Sequence, residues 1–195
     1  MENFLPFITY ILITTFTPGP NNIVSMSNGM RDGYKKTLHF LAGIFVGFLV
    51  VMLICGLLNF VLISLLPQVK FWLNILGAIY MLYLAGHIIF SKPVSQEDDK
   101  NKLNTFMAGF SMQFLNLKVI LYGVTIYSNF IVPSFQDPVS VSLFAPLLAA
   151  VGYIATSSWA VGGDLFSKLI SKNYRMFNLL MGGLLIYTAA ASLIH

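Results

Sequence analysis

The sequence predicts an all-α integral membrane protein with six transmembrane helices, arranged as three plus three in an inverted repeat. Three observations carry this expectation. The 195 residues include only 11 Lys and Arg and 7 Asp and Glu, 9% charged, where a soluble domain carries about 25%. Mean hydropathy is +0.79, and 57% of the residues are hydrophobic. The apolar residues fall in continuous runs of about 18–24, the length of a helix crossing hydrocarbon, rather than in the alternation of a transmembrane β-barrel. This balance excludes an ordinary cytosolic enzyme, a disordered tail and a nucleic-acid-binding domain. It leaves one transmembrane domain over 1–195, with the lipid bilayer as its solvent.

Segment one, 4–27, carries no charge and is interrupted by Thr17-Pro18-Gly19-Pro20-Asn21-Asn22. No positive charge precedes it and no small-residue cleavage site follows, so the first span is expected to be retained. Segment two covers 40–62 and segment three 71–90. The stretch 91–104, with Glu97, Asp98, Asp99, Lys100 and Lys102, is the one hydrophilic linker. Segment four, 105–127, has a single charge, Lys118, and segments five and six cover 143–162 and 177–194.

Lys and Arg set orientation, because basic loops stay cytoplasmic. Arg31, Lys35 and Lys36 lie in loop one, Lys92, Lys100 and Lys102 in loop three, and Lys168, Lys172 and Arg175 in loop five. The opposite side has only Lys70. Loops one, three and five are therefore expected inside and both termini outside. The linker divides the chain into half-repeats of about 1–90 and 105–195. Three spans per half make the second half start on the opposite side, the plan of an inverted repeat. Each half's first span carries a disruptive or polar cluster, Pro18 to Asn22 in one and Gln113 to Lys118 in the other.

These clusters are the candidate site. Pro18 and Pro20 remove backbone donors and break the helix, and in hydrocarbon a broken helix is tolerated only against protein or water. Pro18, Gly19 and Pro20 thus point to a discontinuous span beside a cavity, where helix-end amides and the Asn21 and Asn22 side chains receive a zwitterionic solute. A plain proline kink is the competing reading. Lys118 lies roughly 20 Å into its helix, at a depth where a lysine costs about 2.5–3.5 kcal/mol to insert. It points to a substrate carboxylate or a coupling proton, with Gln113 and Asn116 beside it. The alternative is a structural lysine held by carbonyls left over from the broken helix. Asp164, after Gly162-Gly163, reads as a solvated loop carboxylate.

Gly43 and Gly47 allow close helix packing, or a face for a second copy of the chain. Tyr34, Trp72 and Tyr174 fit an interfacial belt, and His87 reads as interfacial. Cys55 reads as core. One cysteine forms no disulfide, and His39, His87 and His195 are too scattered for a metal site, so no metal or cofactor is expected. No P-loop and no nucleophile–base arrangement occurs, which argues against an ATP motor and an enzyme.

The run Thr17-Pro18-Gly19-Pro20-Asn21 resembles the signature of the lysine exporter and homoserine/threonine resistance (LysE/RhtB) superfamily of amino-acid exporters. Leu41-Ala42-Gly43 with Gly47-Phe48-Leu49, Ala78-Ile79-Tyr80 with Tyr83-Leu84-Ala85, and Gln113-Phe114 with Asn116-Leu117-Lys118 extend the likeness over the chain. Thr17 to Ile23, Val51 to Cys55 and Asn116 to Thr125 are most similar to the cysteine and O-acetylserine exporters. Leu117 stands where the family often has proline, which predicts a weaker break in segment four. The resemblance implies proton-coupled efflux of small neutral amino acids across a bacterial inner membrane. Homoserine or threonine are alternative substrates. A passive channel or a scaffold subunit is the reading from another class.

Overall fold

A computed structural model of the chain describes residues 4–90, 103–135, 137–169 and 174–194. Their regular structure is helical throughout. The elements are α1 (Phe4–Phe16), α2 (Pro20–Asp32), α3 (Tyr34–Leu57), α4 (Asn59–Ile89), α5 (Phe106–Leu115), α6 (Leu117–Ile126) running into a π-helical turn (Tyr127–Ile131), α7 (Pro138–Ser142), α8 (Phe144–Leu169) and α9 (Tyr174–Ile194). Lys92, Lys100, Lys102, Lys172 and His195, and the side chains of Lys70, Lys168 and Tyr174, lie outside the described residues.

Against six expected spans, two helices among the described residues are by themselves long and apolar enough to cross a membrane, α3 and the run 138–167. The pair α5–α6, bent by 63°, makes a third if counted as one broken span. Apolar helices at 4–16, 74–89 and 175–191 are shorter. The surface is apolar. Leu5, Phe71, Trp72, Leu143 and Tyr187 are all largely exposed, as side chains facing lipid would be and as few soluble surfaces are.

Helix ends differ from the expected segment ends in an instructive way. The loop expected between segments two and three does not form. The chain breaks only at Leu58, and α4 runs through Pro67. Hydropathy marks where a chain meets a lipid boundary, whereas a helix continues as long as its backbone bonds do. Asp164, expected in a loop, sits in the last turns of α8, with its carboxylate against Gly33. The segment-four break is sharp although Leu117 is not proline. Asn116 takes extended angles (φ −90°, ψ 94°), and its side chain accepts from the Lys118 amide at 3.1 Å. An asparagine cap starts a new helix as well as a proline does.

Packing concentrates at two places. One core gathers Phe48, Met52, Tyr122, Tyr127 and Leu148, and includes Cys55; the other gathers Ile23, Phe40, Ile44, Leu84 and Met181. Glycines set the helix spacing at the second. A Cβ on Gly43 would stand 2.0 Å from the Phe106 carbonyl oxygen, and one on Gly47 would stand 2.7 Å from that of Phe110. Both glycines therefore face α5 of the same chain. Gly33, at φ 81°, makes the turn from α2 to α3 with a backbone angle that other residues rarely adopt.

Candidate functional site

The first span stops at Phe16 and resumes at Pro20. A helix end leaves its last carbonyls without partners, and inside a membrane each must be satisfied by protein. Here they are. Thr17 Oγ1 donates to Thr14 O at 3.0 Å, and Asn22 Nδ2 donates to Thr15 O and to Thr17 O, both at 2.9 Å. Trp159 Nε1, reaching from α8, donates to Phe16 O at 3.2 Å. Lys118 Nζ donates to Thr17 O at 3.1 Å, to Thr17 Oγ1 at 3.0 Å and to Pro18 O at 3.5 Å. Pro20 occupies the first position of α2, where a missing N–H costs nothing.

The second broken span crosses the first at this point. Asn21 and Gln113 exchange two bonds, Asn21 Nδ2 donating at 2.7 Å and Gln113 Nε2 at 3.2 Å. Gln113 also donates to Gly109 O at 2.9 Å, and Asn116 Nδ2 donates to Asn21 Oδ1 at 3.1 Å. Gln113, Asn22 and Asn116 are buried. Gly19 lies close against the lysine: a Cβ there would stand 3.0 Å from Lys118 Cδ and 3.1 Å from its Nζ, so the lysine chain would have to shift by a few tenths of an ångström. The structure thus brings all eight expected residues, Pro18, Gly19, Pro20, Asn21, Asn22, Gln113, Asn116 and Lys118, to one crossing. It also shows their amides largely engaged with one another. The Lys118 ammonium sits at the carbonyl end of α1, where the helix dipole favours a cation.

The N-termini of α2 and α6 and the Lys118 ammonium meet the carbonyl ends of α1 and α5 here, so positive and negative helix ends lie side by side. Such a place offers groups of both signs to a zwitterion. Two cavities adjoin it and share Thr14, Pro20, Asn116, Lys118 and Tyr122. The smaller, about 40 Å³, also touches Thr15, Asn22, Phe48 and Thr156. That is room for about three waters. The larger, about 370 Å³, is walled by Tyr10, Asn74, Tyr80, Met112 and Thr188 among others, and is of a size to admit a small solute.

Trp159, Thr15, Tyr122 and Phe48 did not stand out in the sequence. Each lies inside an apolar run, where a tryptophan, threonine or aromatic residue reads as packing. Only the indole of Trp159 carried a signal, since its N–H needs an acceptor when buried.

A bundle with an apolar exterior, whose two discontinuous helices cross at a polar centre, is built as a membrane translocator. The chain belongs to the LysE type translocator family, which residues 12–195 match, and is a multi-pass membrane protein. Among its relatives, the cysteine/O-acetylserine efflux protein of Klebsiella pneumoniae subsp. pneumoniae is 40% identical over 183 residues, covering 94% of this chain and 93% of that protein. The protein of the same description from Escherichia coli strain K12 is 39% identical over the same shares. No solved structure matches the chain.

Proposed function

We propose that the protein is a secondary-active exporter of small neutral amino acids and their derivatives, cysteine and O-acetylserine first, across the bacterial inner membrane. The observation that carries this is the crossing of two broken helices at Lys118, between two cavities. Lys118 and the N-termini of α2 and α6 receive the carboxylate. The substrate ammonium is received by carbonyls at the ends of α1 and α5. The resemblance to named efflux proteins, at 40% and 39% identity, supports the substrate class.

Six spans in two inverted halves, both termini outside, complete the reading. In that plan α1 corresponds to α5, α2 to α6 and α3 to α8. The contacts of α2 with α8 and of α5 with α3, on the Gly33 side, are far more extensive than their counterparts α6 with α3 and α1 with α8. An inverted-repeat transporter holds its two sides unequal in each of its two states. The present arrangement is then the state closed on the Gly33 side, and exchange of these packings moves the solute. Energy comes from an ion gradient, protons by preference, with Lys118 as the group that exchanges its ammonium between the Thr17 carbonyl and the substrate.

Flux in proteoliposomes tests this. Labelled cysteine or O-acetylserine is loaded, a pH gradient is imposed and then collapsed, and homoserine, threonine and lysine are compared. Gradient-dependent movement of the first pair is expected. Preference for another amino acid overturns the substrate, flux indifferent to every ion gradient makes the protein a channel, and no flux makes it a scaffold.

A further inference from the structure

At the crossing, the amides and the ammonium are occupied by one another and by helix-end carbonyls. Two hydroxyls are not. Among the described residues lining the small cavity, the buried side-chain oxygens without a protein partner are Thr15 Oγ1 and the Tyr122 hydroxyl. Tyr122 is only 4% exposed. The two hydroxyls are neighbours and touch only each other; neither bonds any further protein group. A buried hydroxyl left unbonded is destabilising, and in a membrane interior there is little else to bond it. This is the pattern of groups kept for a ligand.

Their setting is well packed. The Tyr122 ring stacks on Tyr10 with centroids 5.9 Å apart and planes 8° from parallel, and packs against Phe48 at 5.8 Å. Thr15 sits in the last turn of α1, where its carbonyl is fixed by Asn22. Tyr122 follows Lys118 by four residues on α6, so both lie on one face, about 6 Å apart along the axis. A solute whose carboxylate meets Lys118 therefore extends its side chain towards these hydroxyls.

We propose that Thr15 and Tyr122 are the specificity residues of the transporter. Their hydroxyls bond the polar atom carried on the Cβ of a short side chain, a hydroxyl, thiol or ester oxygen, and disfavour a solute with a methyl group at that position. A site built to bond a polar atom rejects the analogue lacking it, because its own groups are then left unpaired. The proposal rests on the efflux reading and adds which part of the chain reads the side chain.

The experiment compares cysteine and serine with 2-aminobutyrate, which places a methyl group where they carry the thiol or hydroxyl. Flux in proteoliposomes and the thermal shift on adding each solute in detergent are measured for wild type, Tyr122→Phe and Thr15→Val. Both substitutions remove an oxygen at nearly constant volume. Wild type should prefer cysteine or serine by about tenfold or more. Either variant should lower that ratio about tenfold, with the loss falling on the polar solutes. The solute-free variants should melt no lower than wild type, since an unbonded hydroxyl has been removed, and should lose the thermal shift with cysteine. An unchanged ratio and an unchanged cysteine shift in the folded variants overturn the proposal and leave the efflux reading intact. Absence of flux in wild type overturns the efflux reading, while the cysteine shift of wild type against Tyr122→Phe still decides this one. If one variant does not fold, the other decides alone.

Discussion

The two sides of the polar crossing are held together by different means. On the Gly33 side the contacts are backbone on backbone. A Cβ on Gly29 would stand 2.1 Å from Ala160 O, one on Gly163 2.1 Å from Met26 O, and one on Gly109 2.2 Å from Phe40 O. On the Asp137 side the elements meet through rings: Phe7 with Phe130 at 5.8 Å, Phe7 with Phe144 at 6.3 Å, and Tyr10 with Tyr122 at 5.9 Å. Glycine contacts leave no side chain that can move aside, so they are either made or fully broken. Rings can turn and slide while staying packed. A tight seal on one side and an adjustable one on the other is what a protein with two alternative packings needs.

The largest expected effect comes from the tight side. Gly43→Val should force α3 and α5 apart, since even a Cβ would stand 2.0 Å from backbone. Transport should fall to background, with a lower melting temperature or less folded protein. The milder Gly29→Ala should cost about 1–3 kcal/mol of overpacking, or should shift the population to the state open on that side. Reactivity of single cysteines placed on either side of the crossing reads that shift. Gly183→Ala, inside α9 with nothing within 4 Å, should cost nothing and raise stability by about 0.5–1 kcal/mol. Equal effects at Gly29 and Gly183 would remove the contrast between a sealed side and the rest.

At the junction itself, Lys118→Ala should insert and fold yet lose transport by tenfold or more. Wild-type flux in this variant would assign the ammonium to tying down Thr17 and Pro18 alone. Trp159→Phe is a smaller change. It removes the bond to Phe16 O and should lower stability by about 1 kcal/mol, read as a melting shift, while the substrate ratio stays as in wild type.

The smallest effect belongs to the ring side. Asp137 caps α7, accepting from the Ser140 amide at 2.8 Å and the Ser140 hydroxyl at 2.9 Å. These bonds hold its carboxyl below the ordinary value. A lowered native value means the stabilisation is present above the unfolded value, near 3.8, and is lost as pH falls below it. The hydrogen-exchange protection factors of the amides at 139–142, taken relative to the intrinsic rate at each pH, should be unchanged between pH 7 and 5 and should fall as pH drops through the acid range below about 4. A change near neutrality would mean that another group governs this end.

Much of the site was legible because it broke rules. Two prolines and two asparagines inside an apolar run, and a lone lysine at membrane depth, each contradict their surroundings, and such contradictions mark function. What the residues do to one another was not legible. Asn22 could equally have faced a solute, whereas it closes the end of α1. Tyr122 and Thr15 agree with their apolar neighbours in sequence and stand out only once their oxygens are seen without partners. The run at 63–70 misled because a fall in hydropathy was read as a helix end, where α4 continues through it.

Composition and run length by themselves determined that this chain is helical, apolar outside and interrupted in two places, because lipid demands continuous backbone pairing and punishes every exception. Only the tertiary structure decided that the two interruptions meet, that Lys118 answers the carbonyls of the other break, and that glycine faces seal one side. Those facts depend on contacts between residues about a hundred positions apart, and no local pattern records which distant carbonyl a lysine will reach.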